Sequence, residues 1–150
     1  MITAVTDVMT HVSFLLCIVM FVVVARKYRE SQIRSAFLSV VGIAALWSVG
    51  TLTELYFRLA TGVTYMLFVN ICYIAICLVP VAVLRLGRVI LQPDWHPRPA
   101  HAAFLIVPLL SIAMVFTDPL HHLFFVNFSL YSSEAVYGGY YYFHSIYSYG

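Results

Sequence analysis

Apolar residues fall in four long blocks along the chain, and the polar residues gather between them. Val8 to Ala25 holds no Lys, Arg, Asp or Glu and then meets Arg26, Lys27, Arg29 and Arg34. Ala36 to Leu59 forms a second block and ends in a short polar turn. Tyr65 to Leu84 forms a third and meets Arg85 and Arg88, and Ala100 to Phe116 forms a fourth that leads into Thr117-Asp118-Pro119. A helix needs about 20 apolar residues to cross a hydrocarbon core about 30 Å thick. The pattern therefore predicts four complete transmembrane helices.

After Gly138-Gly139 the chain turns aromatic, with Tyr140, Tyr141, Tyr142, Phe143, Tyr147 and Tyr149. Such a stretch suits a membrane interface and predicts the start of a fifth helix. About 11 residues rise only about 16 Å, too little to span, so the chain is expected to be a fragment of a longer protein. Before it, Val126, Phe128 and Leu130 alternate with Asn127, Ser129 and Tyr131, and Ala135-Val136-Tyr137 follows Ser132-Ser133-Glu134. That period of two predicts a small hairpin over the outer face of the bundle. Pro80 and Pro108 are expected as kinks inside the third and fourth helices. Pro119 is expected to end the fourth, and Gln92 to Pro99 reads as a plain turn. The expected fold is thus all-α and integral to the membrane: a polytopic helical bundle with four complete transmembrane helices, the start of a fifth and a small extracytoplasmic β-hairpin. Residues 1–150 read as one membrane domain.

Composition agrees. Hydrophobic residues make up 63% of the chain and charged residues 9%, too few charges for a soluble domain of this size. The net charge of +2 matters less than its placement. Seven of the eight Lys and Arg residues lie on alternate linkers, Arg26, Lys27, Arg29 and Arg34, then Arg85, Arg88 and Arg98, with Arg58 alone on the other side. The positive-inside rule puts those linkers in the cytoplasm and the N-terminus outside. A cleaved signal peptide carries its positive charge before the apolar core; here the charge follows it, so the first helix reads as a retained reverse anchor. Cys17, Cys72 and Cys77 all fall inside predicted helices, with no disulfide or metal-type spacing, and read as small packing residues.

Polar groups inside a membrane are costly and mark function more often than elsewhere. Here they share a depth. Glu54 and Asn70 lie about one and a half turns below the outer ends of the second and third helices, and His144 lies one turn into the fifth. Asp118, His121 and His122 follow the outer end of the fourth. One reading is an outward-opening cavity lined by carboxylates and imidazoles, with Asp118, His121, His122 and His144 joining Glu54 in one site. Imidazoles change charge readily near their free pKa of about 6.5, so such a cluster suits an anion, a metal or a proton as signal. The plainer reading stays open beside it. Glu54 and Arg58 are four apart on one helix face and can neutralise each other, Asn70 suits an interhelical hydrogen bond, and the histidines suit an interfacial belt. Trp47, Gly50, Glu54 and Arg58 share a face, which is expected to point into the bundle.

Thr117-Asp118-Pro119-Leu120-His121-His122-Leu123-Phe124 resembles a signature of the seven-transmembrane sensor region at the N-terminus of many bacterial histidine kinases and some diguanylate cyclases. Ala44-Ala45-Leu46-Trp47-Ser48-Val49-Gly50 with the later Glu54-Leu55 looks like that family's second helix, and Phe143 to Tyr149 like the start of its fifth. The family pattern more often has Asn where this chain has Asp118. Carried over, the family's polar positions land on Glu54, Asp118, His121, His122 and His144. The resemblance implies a signal-sensing domain of a two-component kinase in the bacterial inner membrane. It also implies homodimerisation through the parent kinase and an output domain outside this chain.

No Gly-rich phosphate loop, no H-E-x-x-H motif and no nucleophile elbow is present. No catalytic residue, metal site or cofactor is expected. The expected partners are the lipid bilayer and an extracytoplasmic or membrane signal, not nucleic acid. The competing readings are a haem- or quinone-binding electron carrier, which needs axial ligands such as His11, His101 or His144 on facing helices, and a transporter fragment, for which no repeat symmetry appears.

Overall fold

Each of the first three apolar blocks winds into one long helix: α1 (Ile2–Lys27), α2 (Gln32–Thr61) and α3 (Met66–Leu91). In the computed structural model the described residues are 2–92, 94–96, 98–128 and 135–149. They belong to two compact units, Met1–Pro97 and Arg98–Gly150.

In the first unit α1 packs on α2 and α2 on α3. Along α1, Leu15, Leu16, Ile18, Met20 and Phe21 are all exposed, so its apolar surface runs round the helix rather than forming one stripe. A helix apolar all round belongs in a membrane or a large core. The ends of α2 are set by side-chain and backbone chemistry. Ser31 stands in extended backbone at the N-cap, and its Oγ accepts the Arg34 N–H at 3.1 Å. At the other end Gly62 takes φ 73° and donates its N–H to the Arg58 carbonyl, the left-handed stop that glycine adopts without strain. Gly50 lets α2 and α3 approach closely: a Cβ there would stand 2.7 Å from Cys72 Sγ and 3.2 Å from Cys72 N. Around this contact the core holds Leu52 and Leu55 of α2 with Val69, Ala75 and Cys77 of α3. Pro80 lies inside α3, whose helix continues through it.

The linker after α3 turns back on itself, as expected. Trp95 donates its N–H to the Gln92 carbonyl, and His96 Nδ1 lies 3.1 Å from Gln32 Nε2, so the linker folds back onto the start of α2.

In the second unit the fourth block divides. Pro99–Leu105 is a 3-10 helix, and only Ile106–Phe116 (α4) is α-helical. Pro108 accounts for the change: it has no N–H for the Phe104 carbonyl one turn back, and its ring crowds that oxygen. The carbonyl so released accepts the Tyr147 hydroxyl at 2.9 Å. Pro119 does not end α4; it occupies the second position of a separate one-turn helix, α5 (Asp118–His121). Two short strands follow, β1 (Phe125–Asn127) and β2 (Val136–Tyr137), paired antiparallel with Phe125 opposite Tyr137. Ser129 to Glu134, the middle of the expected hairpin, lie outside the described residues. Gly138 makes the closing contact. A Cβ there would fall 2.0 Å from the Leu123 carbonyl oxygen, while Gly138 N and Tyr140 N donate to the carbonyls of Phe124 and Leu123. The chain then enters α6 (Gly139–Tyr149), the expected start of a further helix. Phe124, Val115 and Ser111 are the buried centre of this unit.

Among the described residues four helical stretches are long and apolar enough to cross a membrane: Asp7–Lys27, Gln32–Thr61, Met66–Leu91 and Pro99–Phe116. They coincide with the four blocks of the sequence.

Candidate signal-sensing site

Of the seven candidate residues, Glu54, Arg58 and Asn70 belong to the first unit and Asp118, His121, His122 and His144 to the second. Glu54 is 6% exposed. Its Oε1 accepts from Arg58 Nε at 3.1 Å, one turn further along the same helix. Gly50 and Glu54 do face protein, as expected from their shared face, but Trp47 does not: it is 52% exposed. Asn70 Oδ1 is buried without a hydrogen-bond partner among the described residues. A buried amide oxygen in that state is a ready acceptor for a ligand N–H or O–H.

Asp118 is as buried as Glu54 but is satisfied differently. Its Oδ1 accepts the backbone N–H groups of Phe124 at 2.8 Å and Phe125 at 3.1 Å, so the carboxylate folds the loop that follows α5 back over itself. An amide oxygen at this position would accept the same two bonds, which gives a physical reason for Asn and Asp to be interchangeable there. His121 braces the turn. Its Nδ1 accepts the Leu123 N–H at 3.0 Å, and its Nε2 lies 3.0 Å from Thr117 Oγ1, whose hydroxyl donates to the Ala113 carbonyl. With that hydroxyl so engaged, Nε2 is the donor in the contact with Thr117. Nδ1 also stands 3.8 Å from Asp118 Oδ1. His122 differs from its neighbour. It caps α5 with φ 52° and donates its N–H to the Asp118 carbonyl. Its exposed imidazole has no partner among the described residues.

His144 is 2% exposed. Nδ1 lies 2.9 Å from Ser111 Oγ and Nε2 lies 3.2 Å from Ser148 Oγ, while Ser111 Oγ also meets the Tyr140 hydroxyl at 3.2 Å. Phe124 links this network to the Asp118 turn: its N–H goes to Asp118, and its ring centroid is 6.1 Å from that of His144. Ser111, Tyr140 and Ser148 were not among the residues expected from the sequence. The one available signal was a single hydroxyl, Ser111, in the middle of the otherwise apolar α4.

Hydrogen bonds join the polar side chains of the second unit to one another and to the main chain. Among the described residues no group of three His, Cys, Asp or Glu side chains could hold a metal ion. The ring nitrogens of His144 are engaged as above, and those of His11 meet the Asp7 carbonyl at 2.7 Å and the Tyr56 hydroxyl at 2.6 Å.

Four apolar spanning helices with costly polar groups held at defined positions define a polytopic membrane region. Comparison with family models gives the family: residues 9–150 match the N-terminal 7TM region of histidine kinase, and the chain belongs to that family. Comparison with curated proteins and with solved structures gave no match.

Proposed function

We propose that this chain is the sensing part of a two-component sensor histidine kinase of the bacterial inner membrane, with its N-terminus outside. It takes up an extracytoplasmic or membrane signal and passes it on by rearranging helices. Phosphotransfer is assigned to an output domain of the parent protein, which acts as a homodimer. The observation that carries the reading is the contrast among the three histidines of the second unit. His144 and His121 are tied into protein by both ring nitrogens. His122, held between them and the Asp118 turn in a left-handed conformation that non-glycine residues seldom adopt, presents its ring outward. His122 is thus the residue that meets the signal, and the Asp118–Phe124–His144 chain of contacts conveys it to α4 and α6. Asn70 Oδ1, Glu54 and Arg58 are assigned to the same sensing role in the first unit.

The test uses the full-length parent. His122→Ala is expected to lower the signal response about tenfold while leaving membrane level unchanged, since surface substitutions usually shift stability by no more than about 0.5 kcal/mol. An unchanged response removes His122 from sensing. Cytoplasm-dependent reporters fused after Arg29 or Arg88 should be active and those after Thr61 silent, by the charge asymmetry of the linkers; the reverse pattern overturns the orientation.

A further inference from the structure

Arg34 and Arg85 serve the membrane orientation through their charge, yet the structure gives them a more specific setting. At the arginine-bearing end of the first unit, the start of α2, the end of α3 and the linker after it border an open pocket of about 740 Å³. Glu30, Arg34, Ser35, Ser39, Arg85 and Trp95 line it. Arg85 reaches across from α3 to α2, where its two terminal nitrogens donate to Ser39 Oγ at 3.2 Å and Ser35 Oγ at 3.1 Å. Those partners are neutral hydroxyls, and among the described residues Arg85 forms no ion pair. Arg34 donates one Nη to the Ala25 carbonyl at 2.6 Å. Its other Nη stands 3.9 Å from the Glu30 carboxylate, whose side chain is 97% exposed. Its Nε is buried with no hydrogen-bond partner among the described residues. A buried guanidinium N–H without an acceptor is costly and rare in a finished structure.

Two guanidinium groups thus border one cavity with an excess of positive charge and donors to spare. Planar guanidinium forks match the oxygens of phosphate, and pairs of them are the usual means of holding it. Six of the eight Lys and Arg residues, Arg26, Lys27, Arg29, Arg34, Arg85 and Arg88, lie at the helix ends around this cavity. A basic pocket between helices at the membrane surface suits an anionic lipid headgroup, and Trp95 suits the interface. We infer that this cavity binds a phosphate group between Arg34 and Arg85, carried either by an anionic phospholipid or by a soluble phosphate. Glu30, exposed and loosely held, swings aside as the phosphate enters.

The chain has two tryptophans, Trp47 and Trp95, so Trp47→Phe leaves Trp95 as the reporter in the cavity. In phosphatidylcholine nanodiscs holding the full chain, brominated phosphatidylglycerol is expected to quench Trp95 at about a tenfold lower mole fraction than brominated phosphatidylcholine. Inorganic phosphate added to discs of phosphatidylcholine alone is the second arm. A lipid preference names the headgroup as the source, and a saturable response to inorganic phosphate names a soluble one. Arg34→Gln and Arg85→Gln should each reduce the response at least about fivefold, whereas Arg88→Gln, outside the lining, should not. Glu30→Gln, at an exposed position without folding risk, should tighten it about twofold. The inference fails if neither arm responds in the unmodified cavity. It fails equally if Arg88→Gln weakens the response as much as Arg34→Gln, because surface charge alone would then account for it.

Discussion

Glu54 and Asp118 are equally buried, at 6% exposure each, and are stabilised in opposite ways. Glu54 meets a cation one turn away on its own helix, so its charge is cancelled before any other helix packs on it. Asp118 meets no cation as close; two backbone N–H groups from the following loop hold its charge, and they reach it only when the loop has folded. The first carboxylate is neutralised by sequence-local chemistry, and the second organises tertiary structure. A change at Glu54 therefore acts on one helix. One at Asp118 acts on the whole turn between α4 and α6.

The sharpest way to break the contrast is at Gly138. Alanine there puts a Cβ 2.0 Å from the Leu123 carbonyl and must push apart the segments whose N–H groups bond Phe124 and Leu123. Gly138→Ala is expected to cost roughly 4 kcal/mol. Denaturant unfolding in detergent, followed by tyrosine environment in the second unit, would show it; a loss below about 1 kcal/mol would mean the loop can shift without penalty. Next comes Asp118 itself. Asp118→Ala takes away the carboxylate acceptor of two buried N–H groups, an expected loss of about 3 kcal/mol, whereas Asp118→Asn keeps the accepting oxygen and should lose about 1 kcal/mol. Equal losses for the two variants would show that charge, not the hydrogen-bond geometry, holds the turn. The smallest effect is expected at the helix-local pair. Arg58 is 36% exposed, so Arg58→Ala should cost only about 1 kcal/mol. The double variant Glu54→Gln with Arg58→Gln should recover most of it in the same unfolding measurement. A loss at Arg58 as large as at Asp118→Ala would erase the distinction between the two carboxylates.

The sequence pattern made the spanning helices legible because membrane helices answer to length and apolarity, both of which are local. Ala36 to Leu59 lies within α2, and the third block lies within α3 apart from Tyr65, which is its N-cap. The Glu54–Arg58 pair was legible for the same reason, since four residues along one helix fix the contact. Asp118 was legible as a polar residue in a signature but not in its role. Main-chain N–H groups carry no residue identity, so nothing in the letters of Phe124 and Phe125 announces that their amides turn back toward a carboxylate. The setting of His144 was hidden likewise, because Ser111 is 33 residues away and looks like any small residue in an apolar helix. Pro108 was visible, but its effect was not a bend within one helix. It changed the type of helix before it.

That change makes Pro108 and Tyr147 a single heritable trait rather than two residues. The proline takes a donor away from the Phe104 carbonyl, and the tyrosine hydroxyl returns one from a different helix. Any relative with an ordinary residue at position 108 regains the N–H in place and has no further use for a hydroxyl at 147. Substitution at one position should therefore relax selection on the other, so that the proline and the tyrosine are inherited together or lost together.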